Sequence, residues 1–280
     1  MPELPEVETI VRDLEPLVRG HRLYNPTIHR PDVLRGVSKR RFEQTLSRAV
    51  VESVYRRAKH AVFLLNSQDR VVIQPRMTGM LLVRPGRLSK AELKYAVFTT
   101  GLGNGSKLVF RDVRRLGTIS LLSPRQWSEY DSKIGPEPLD PQFGEEAFAR
   151  VLTGRAAIKK ALMDQRKMAG VGNIYANEAL FRAQIDPSRP ANSIDSREAG
   201  ALYRAVRAVL FEALEYRGTT FRDYRTGTGD KGNFQYHLDV YGRGGEPCRR
   251  CGSILVTTHE IDGRSTTFCW RCQSRRPKPA

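Results

Sequence analysis

Ile134-Gly135-Pro136-Glu137-Pro138-Leu139-Asp140-Pro141 is where the chain changes character. Three prolines in eight residues bar both a continuous helix and a central strand, so the stretch reads as a hinge between two kinds of structure. On its N-terminal side, short β-branched or aromatic runs at 50–55, 61–65, 71–73, 80–83 and 95–98 are separated by turn residues. Asn104-Gly105 followed by Leu108-Val109-Phe110 is a hairpin signal. This predicts a sheet sandwich or barrel, not a parallel sheet with crossover helices. On the C-terminal side the period becomes helical, with helices expected at 145–152, 156–163, 174–183 and 196–216. Asp195 with Glu198 forms a capping-box pattern at the start of the last of these, and Gly218 a stop after it.

Working outward, Val7, Ile10, Val11, Leu14 and Leu17 recur at helical spacing and predict a helix over 7–19, with Pro5 in its first turn. The polar, glycine-containing segment 219–232 reads as a mobile loop. The last stretch reads as short strands around cysteines, followed by the basic tail Arg275-Arg276-Pro277-Lys278-Pro279.

Lys and Arg number 47 against 30 Asp and Glu, a formal charge of +17. Each cation that meets a phosphate releases a condensed counterion, so a polyanionic partner is favoured. Nucleic acid is the first candidate and an anionic membrane surface the second. No apolar run is long enough to span a bilayer, and the acidic, proline-rich opening Met1-Pro2-Glu3-Leu4-Pro5-Glu6 is no export signal. Four cysteines without such a signal point to metal binding in a reducing compartment.

Those cysteines fall in two knuckles, Cys248-Arg249-Arg250-Cys251 and Cys269-Trp270-Arg271-Cys272, seventeen residues apart. Each C-x-x-C turn offers two thiolates to one ion, so the spacing predicts a four-sulfur, structural zinc site with no open position for water. His259 is not expected as a ligand, and a basic hairpin is expected between the knuckles. Gly170-Val171-Gly172-Asn173 precedes the helix at 174–183. With Asn173 as N-cap, its free N–H groups would make an anion site; a tight helix–helix turn is the equally weighted alternative. Lys159, Lys160, Arg166 and Lys167 nearby favour a phosphate as the anion.

The N-terminus runs against the overall charge: residues 1–20 carry three excess negatives. Removal of Met1 would expose the secondary amine of Pro2. Such an amine titrates near neutral pH, and its neutral fraction can attack C1′ of a deoxyribose to form an iminium. Glu3 stands next to it as a general acid or base. Without further information, two prolines and two glutamates opening a helix are more simply read as helix-start residues.

The opening Met1-Pro2-Glu3-Leu4-Pro5-Glu6-Val7-Glu8-Thr9 resembles, residue for residue, the start of the bacterial formamidopyrimidine-DNA glycosylases. The resemblance runs through Arg56-Arg57-Ala58-Lys59, Met77-Thr78-Gly79, Arg114-Arg115, Gly135-Pro136-Glu137-Pro138-Leu139, Gly170-Val171-Gly172-Asn173-Ile174-Tyr175-Ala176, Val240-Tyr241-Gly242-Arg243 and the zinc knuckles. It implies an α+β fold: an N-terminal β-sandwich with flanking helices over 1–135, a helix–two-turns–helix domain over 136–235 and a zinc-finger hairpin over 236–280, with DNA across the cleft. By position, Pro2 is the Schiff-base nucleophile, Glu3 the acid, Lys59 the lysine assisting β-elimination and Arg264 the hairpin arginine of δ-elimination. Lys159 and Asn173 fall on phosphate contacts. Met77, Arg114 and Leu116 form the wedge that replaces an extruded nucleotide, with Arg115 and Tyr95 also at the DNA. The segment 219–232 corresponds to the loop that folds over the damaged base.

The resemblance thus implies a bifunctional glycosylase and abasic-site lyase acting on oxidised purines in damaged duplex DNA. It would hold one structural zinc and act as a monomer in the cytoplasm at the nucleoid. The chain departs from the family's pattern at Leu116 (usually Phe), Val113 (Pro), Tyr95 (His), Gly154 (a basic residue) and His60 (Tyr). An oxidised-pyrimidine glycosylase of the endonuclease VIII type and a noncatalytic zinc protein that binds damaged DNA are the alternatives.

Overall fold

The computed structural model describes residues 2–273; Met1 and the basic tail at 275–279 lie outside the described residues. Contacts divide the chain into two units. The first holds the residues up to Lys133 together with Leu214–Gln235; the second holds Ile134–Ala213 and the chain from Tyr236 onward. The division after Lys133 coincides with the start of the proline-rich stretch.

In the first unit, α1 (Leu4–Val18) is followed by β1 (Leu23–Ile28), β2 (Leu34–Arg35), α2 (Lys39–Leu46), β3 (Val51–Arg57), β4 (His60–Leu65), β5 (Arg70–Gln74) and β6 (Gly79–Arg84). Then come α3 (Lys90–Leu93), β7 (Ala96–Leu102), β8 (Lys107–Asp112), β9 (Thr118–Leu122) and α4 (Pro124–Asp131). Two sheets form: β1-β7-β8-β6, antiparallel throughout, and β2-β9-β5-β4-β3, in which only the short β2 runs parallel to its neighbour. Their inner faces share one core. Phe98, Leu102, Leu108 and Phe110 of the first sheet meet Val51, Phe63, Ile73 and Ile119 of the second in a single buried cluster. This is a β-sandwich, and α1 closes it with Val7, Ile10, Val11, Leu14 and Val18.

The helix starts at Leu4, three residues before the apolar pattern suggests, because Glu3 and Glu6 cap it reciprocally and Pro5 occupies the first turn. Leu17, expected on the buried stripe, is exposed, and Val18 takes the place on the core side.

The second unit contains α5 (Glu145–Val151), α6 (Ile158–Met163), α7 (Asn173–Arg182) and most of α8 (Ser196–Glu215), then the two-stranded hairpin β10 (Val256–Thr258) and β11 (Thr266–Phe268). The expected capping box of α8 is present: Glu198 N donates to Asp195 Oδ1 at 2.8 Å, and Asp195 N to Glu198 Oε2 at 3.1 Å. Tyr203 and Arg207 of α8 bond to the carbonyls of Phe143 and Pro138, which fixes the proline-rich stretch to this unit. Among the described residues, no helix is long and apolar enough to cross a membrane.

Candidate active site

Pro2 and Glu3 are buried at the head of α1. The Glu3 carboxylate accepts from the third residue of the helix, and Glu6 Oε2 accepts Glu3 N at 2.8 Å. One pair of carboxylates thus satisfies the helix start and fixes the chain directly after the proline. Lys59 lies in the two-residue turn joining β3 to β4, also buried. The reason is visible in its neighbours. Arg56 donates from Nε to Glu8 of α1 at 2.9 Å and from Nη1 to Ala58 O at 3.1 Å, so the turn is tied to the helix that begins at Pro2. Ala58 sits at φ +50°, a conformation few side chains adopt, and Arg57 binds Asp131 of α4 at 2.5 Å.

His60 completes the turn. Its Nδ1 lies 3.1 Å from Arg57 O, so that nitrogen carries the proton, and Nε2 accepts from the Tyr130 hydroxyl at 3.0 Å. Burial, aided by the cations Arg76, Arg57 and Lys59, lowers its pKa from 6.5 to about 4, against the upward pull of its bond to Arg57 O, which ranks second after burial. The folded-state value lies below the unfolded one, so protonation favours the unfolded chain. Stability carried by His60 is complete above pH 6.5 and drains away as pH falls toward 4. Relative to a His60→Gln protein, wild type is expected to lose up to about 3 kcal/mol across that window. Parallel thermal melts of the two proteins at pH 7 and pH 4.5 check this; an unchanged difference contradicts it.

The residues that the resemblance assigns to a wedge, Met77, Arg114 and Leu116, stand on two loops. Met77, Val113 and Leu116 are exposed large apolar side chains, and the Arg114 guanidinium reaches Met77 Sδ at 3.6 Å. Beneath them the buried Asp112 carboxylate takes Arg114 N at 3.2 Å, Gly117 N at 2.7 Å and the Thr78 hydroxyl. Thr78 therefore braces both loops. Gly79 follows because a Cβ there would stand 2.2 Å from Pro75 O and 2.8 Å from the Phe110 ring. Arg115 sits at φ +53° and pairs with Asp32 at 3.2 Å. Tyr95, capped by the Lys94 ammonium 5.2 Å from its ring centre, lines a groove with Arg30 and Arg115.

The segment 219–232 has no helix or strand, as expected of a loop, but its stem is pinned. Thr219 N donates to Glu6 Oε1 at 2.7 Å, and the buried Tyr224 hydroxyl donates to Glu6 O at 3.2 Å and Arg217 O at 3.1 Å. Glu6 therefore touches both the peptide after Pro2 and the base of this loop.

In the second unit two expectations need correction. Lys159, assigned to phosphate, is fully buried: its ammonium donates to Thr266 Oγ1 at 2.7 Å, Asp262 Oδ1 at 3.2 Å and Ser265 O at 3.3 Å. It pins the hairpin to α6 and faces no solvent. Its neighbour Lys160 instead lines an open groove with Arg166, Lys167 and Arg264. Asn173 is not the N-cap either, because α7 starts one residue earlier with Gly172 in that position. The Asn173 side chain donates to Ser265 O at 3.0 Å. Within the glycine loop, Gly170 N is taken by Gln165 Oε1 at 2.8 Å and Val171 N by Ala169 O at 3.0 Å, so the loop is a buried helix–helix turn.

One polar residue escaped the sequence reading. Glu178 of α7 is fully buried, and its two oxygens accept Asp239 N at 2.7 Å, Val240 N at 2.9 Å and Tyr241 N at 2.8 Å. Burial pushes its pKa up while the three N–H groups pull it down. A Glu178→Gln protein keeps one acceptor oxygen and is expected to lose about 1–3 kcal/mol for each stranded N–H. Denaturant unfolding tests this, and an unshifted midpoint contradicts it.

Cys248, Cys251, Cys269 and Cys272 gather with all ligand atoms within 4.8 Å. Cys248 Sγ and Cys272 Sγ are 4.0 Å apart, and Cys251 Sγ and Cys269 Sγ 3.5 Å. A zinc tetrahedron with bonds of about 2.3 Å needs sulfurs roughly 3.8 Å apart. The four thiolates fit one structural zinc, and His259 is not among the clustered ligands.

A β-sandwich opened by Pro2 and a Glu3–Glu6 capping box, together with a helical unit that ends in four clustered cysteines, defines a two-unit α+β protein with a structural zinc site. Three family models match the chain: the formamidopyrimidine-DNA glycosylase N-terminal domain over residues 1–119, its H2TH domain over 134–225, and the zinc finger found in FPG and IleRS over 245–275. The formamidopyrimidine-DNA glycosylase of Heliobacterium modesticaldum is 40% identical over 277 residues, covering 98% of this chain and 100% of the relative. That of Moorella thermoacetica is 42% identical over 258 residues, 91% of this chain and 93% of the relative. Among solved structures, the Lactococcus lactis Fpg bound to DNA containing an abasic site superposes with a TM-score of 0.88 at 30% identity, covering 97% of this chain and 99% of that one. The MutM (Fpg) protein of Thermus thermophilus gives 0.85 at 38% identity, covering 99% and 100%. The chain belongs to the formamidopyrimidine-DNA glycosylase family.

Proposed function

We propose that this chain is a base-excision-repair enzyme that removes oxidised purines, 8-oxoguanine and formamidopyrimidines, from duplex DNA and then cleaves the abasic strand. The observation that carries the reading is the buried Pro2-Glu3 pair at the head of α1, tied through Glu8 and Arg56 to the turn that holds Lys59. A protein that only binds DNA has no use for an amine, an acid and a buried lysine around one helix start. The complex of its Lactococcus relative with DNA containing an abasic site supports damaged DNA as the partner.

In this reading the Pro2 nitrogen, freed by loss of Met1, adds its lone pair to C1′ of an extruded nucleotide. The bond from C1′ to the base breaks, and the base leaves with a proton delivered through Glu3. The adduct's N–H proton passes to O4′ as the C1′–O4′ bond opens, giving an iminium and a free 4′-hydroxyl. The iminium acidifies C2′; removal of that proton, assisted by Lys59, expels the 3′ phosphate, and Arg264 serves the second elimination at the 5′ side. Hydrolysis then returns the free amine. Met77, Arg114 and Leu116 fill the vacated stack, with Arg115 and Tyr95 beside them. Lys160, Arg166, Lys167 and Arg264 take backbone phosphates, with Asn173 at the adjoining helix start. In this arrangement residues 1–135 carry the chemistry with the loop 219–232 seated on α1, the helices within 136–235 the DNA contacts, and 236–280 the zinc hairpin.

Release of 8-oxoguanine and of thymine glycol from otherwise identical duplexes tests the substrate class. Preferential release of 8-oxoguanine is expected; preferential release of thymine glycol would place the chain with the oxidised-pyrimidine enzymes.

A further inference from the structure

The loop 219–232 approaches α1 more closely than a side chain permits. A Cβ on Gly227 would stand 2.7 Å from Asp13 Cβ, 2.9 Å from Ile10 O and 3.1 Å from Leu14 Cγ. At this point of approach Asp13 presents a carboxylate whose side chain is only 10% exposed. It accepts Gly227 N on Oδ2 at 3.0 Å, and it takes Arg217 Nη2 on both oxygens, at 2.8 and 2.9 Å. Arg217 stands at the stem of the loop, itself held at φ +60°, and Gly227 near its middle. One side chain of α1 thereby fixes two points of the loop, and the chemistry described above makes no use of it.

We propose that Asp13, with the close seat of Gly227, is a positioning residue for removal of the damaged base: it holds the loop in the shape that closes over an extruded nucleotide. The inference rests on the glycosylase reading. The two stages of that reaction differ in what they ask of the loop. A damaged base must be enclosed before its bond to the sugar breaks, whereas a preformed abasic site offers no base to enclose. The clamp therefore bears on base removal and not on strand cleavage at an abasic site.

The test uses full-length, zinc-loaded protein in single turnover on two duplexes that differ only in carrying 8-oxoguanine or an abasic site. Asp13→Ala and Gly227→Ala are each expected to slow 8-oxoguanine removal about tenfold or more, with abasic-strand cleavage kept within about twofold. Asp13→Asn keeps an oxygen for Gly227 N but loses the charge facing Arg217, and should fall between. Tryptic cleavage after Arg222 and Arg225 should be faster in Asp13→Ala than in wild type. Undiminished 8-oxoguanine removal overturns the proposal, as does an equal loss on both duplexes, which is what a merely structural role produces. If wild type cleaves neither duplex, the glycosylase reading has failed; the protease rates then decide the clamp, and unchanged digestion of Asp13→Ala overturns it.

Discussion

A Pro2→Gln protein is expected to bind 8-oxoguanine duplex within about threefold of wild type and to cleave it at least about 10³-fold more slowly. The asymmetry follows from where Pro2 sits. The residue lies ahead of α1, whose first turn is capped by Glu3 and Glu6 and not by the proline ring. Substitution leaves the helix start, the sandwich core and the Arg56 bridge in place. What disappears is a secondary amine whose pKa leaves a neutral, nucleophilic fraction near pH 7. With no amine to displace the base, base removal loses its nucleophile, and strand cleavage loses the iminium that follows. Binding by gel shift and cleavage in single turnover separate the two effects; cleavage at the wild-type rate contradicts the assignment.

Removal of zinc is expected to be as damaging by a different route. The strands β10 and β11 have three residues each, and their core is Phe181, Val240, Leu255 and the cysteines themselves. A two-stranded hairpin with so little apolar cover does not hold by itself in water. Four-thiolate zinc supplies on the order of 10 kcal/mol of folding free energy in such modules. Without it the hairpin opens, and Lys159 loses its bonds to Thr266 and Asp262, so nothing ties the hairpin to α6. Arg264 leaves its groove at the same time. Chelated protein, or a Cys269→Ser variant, should bind duplex about 100-fold more weakly, because several phosphate contacts go together. Gel shift with zinc-content analysis checks the prediction; metal-free protein that binds as tightly as wild type contradicts it.

The architecture was legible in the sequence wherever one physical signal dominated. The proline-rich stretch marked the change from strands to helices, the cysteine spacing marked the metal site, and the β7–β8 hairpin was announced by Asn104-Gly105. The elements missed lacked such a signal. In β1, Pro26 and the bulge between Tyr24 and Thr27 break the alternation that identifies a strand. In α2 only Phe42 and Leu46 are buried, so the apolar stripe is two residues long and the helix rests on its Ser38 cap. The helix α4 is held by pairing of its aromatics with Tyr55 and His60, contacts distant in sequence. Site residues followed the same division. The opening motif and Lys59 could be singled out only through the family resemblance; taken alone, the one reads as a helix start and the other as an ordinary solvated lysine. Lys159, by contrast, is indistinguishable in sequence from the exposed Lys160, and only burial shows that it holds the hairpin. Glu178 escaped notice because its partners are backbone N–H groups some sixty residues away, which leave no side-chain pattern to read.

Borohydride reduction of wild-type protein on an abasic-site duplex, followed by peptide mass mapping of the trapped species, tests the central claim most directly. The account predicts one stable adduct whose added sugar mass maps to Pro2 in a chain that has lost Met1. No adduct, or an adduct on Lys59 or another lysine with Met1 still attached, would contradict it.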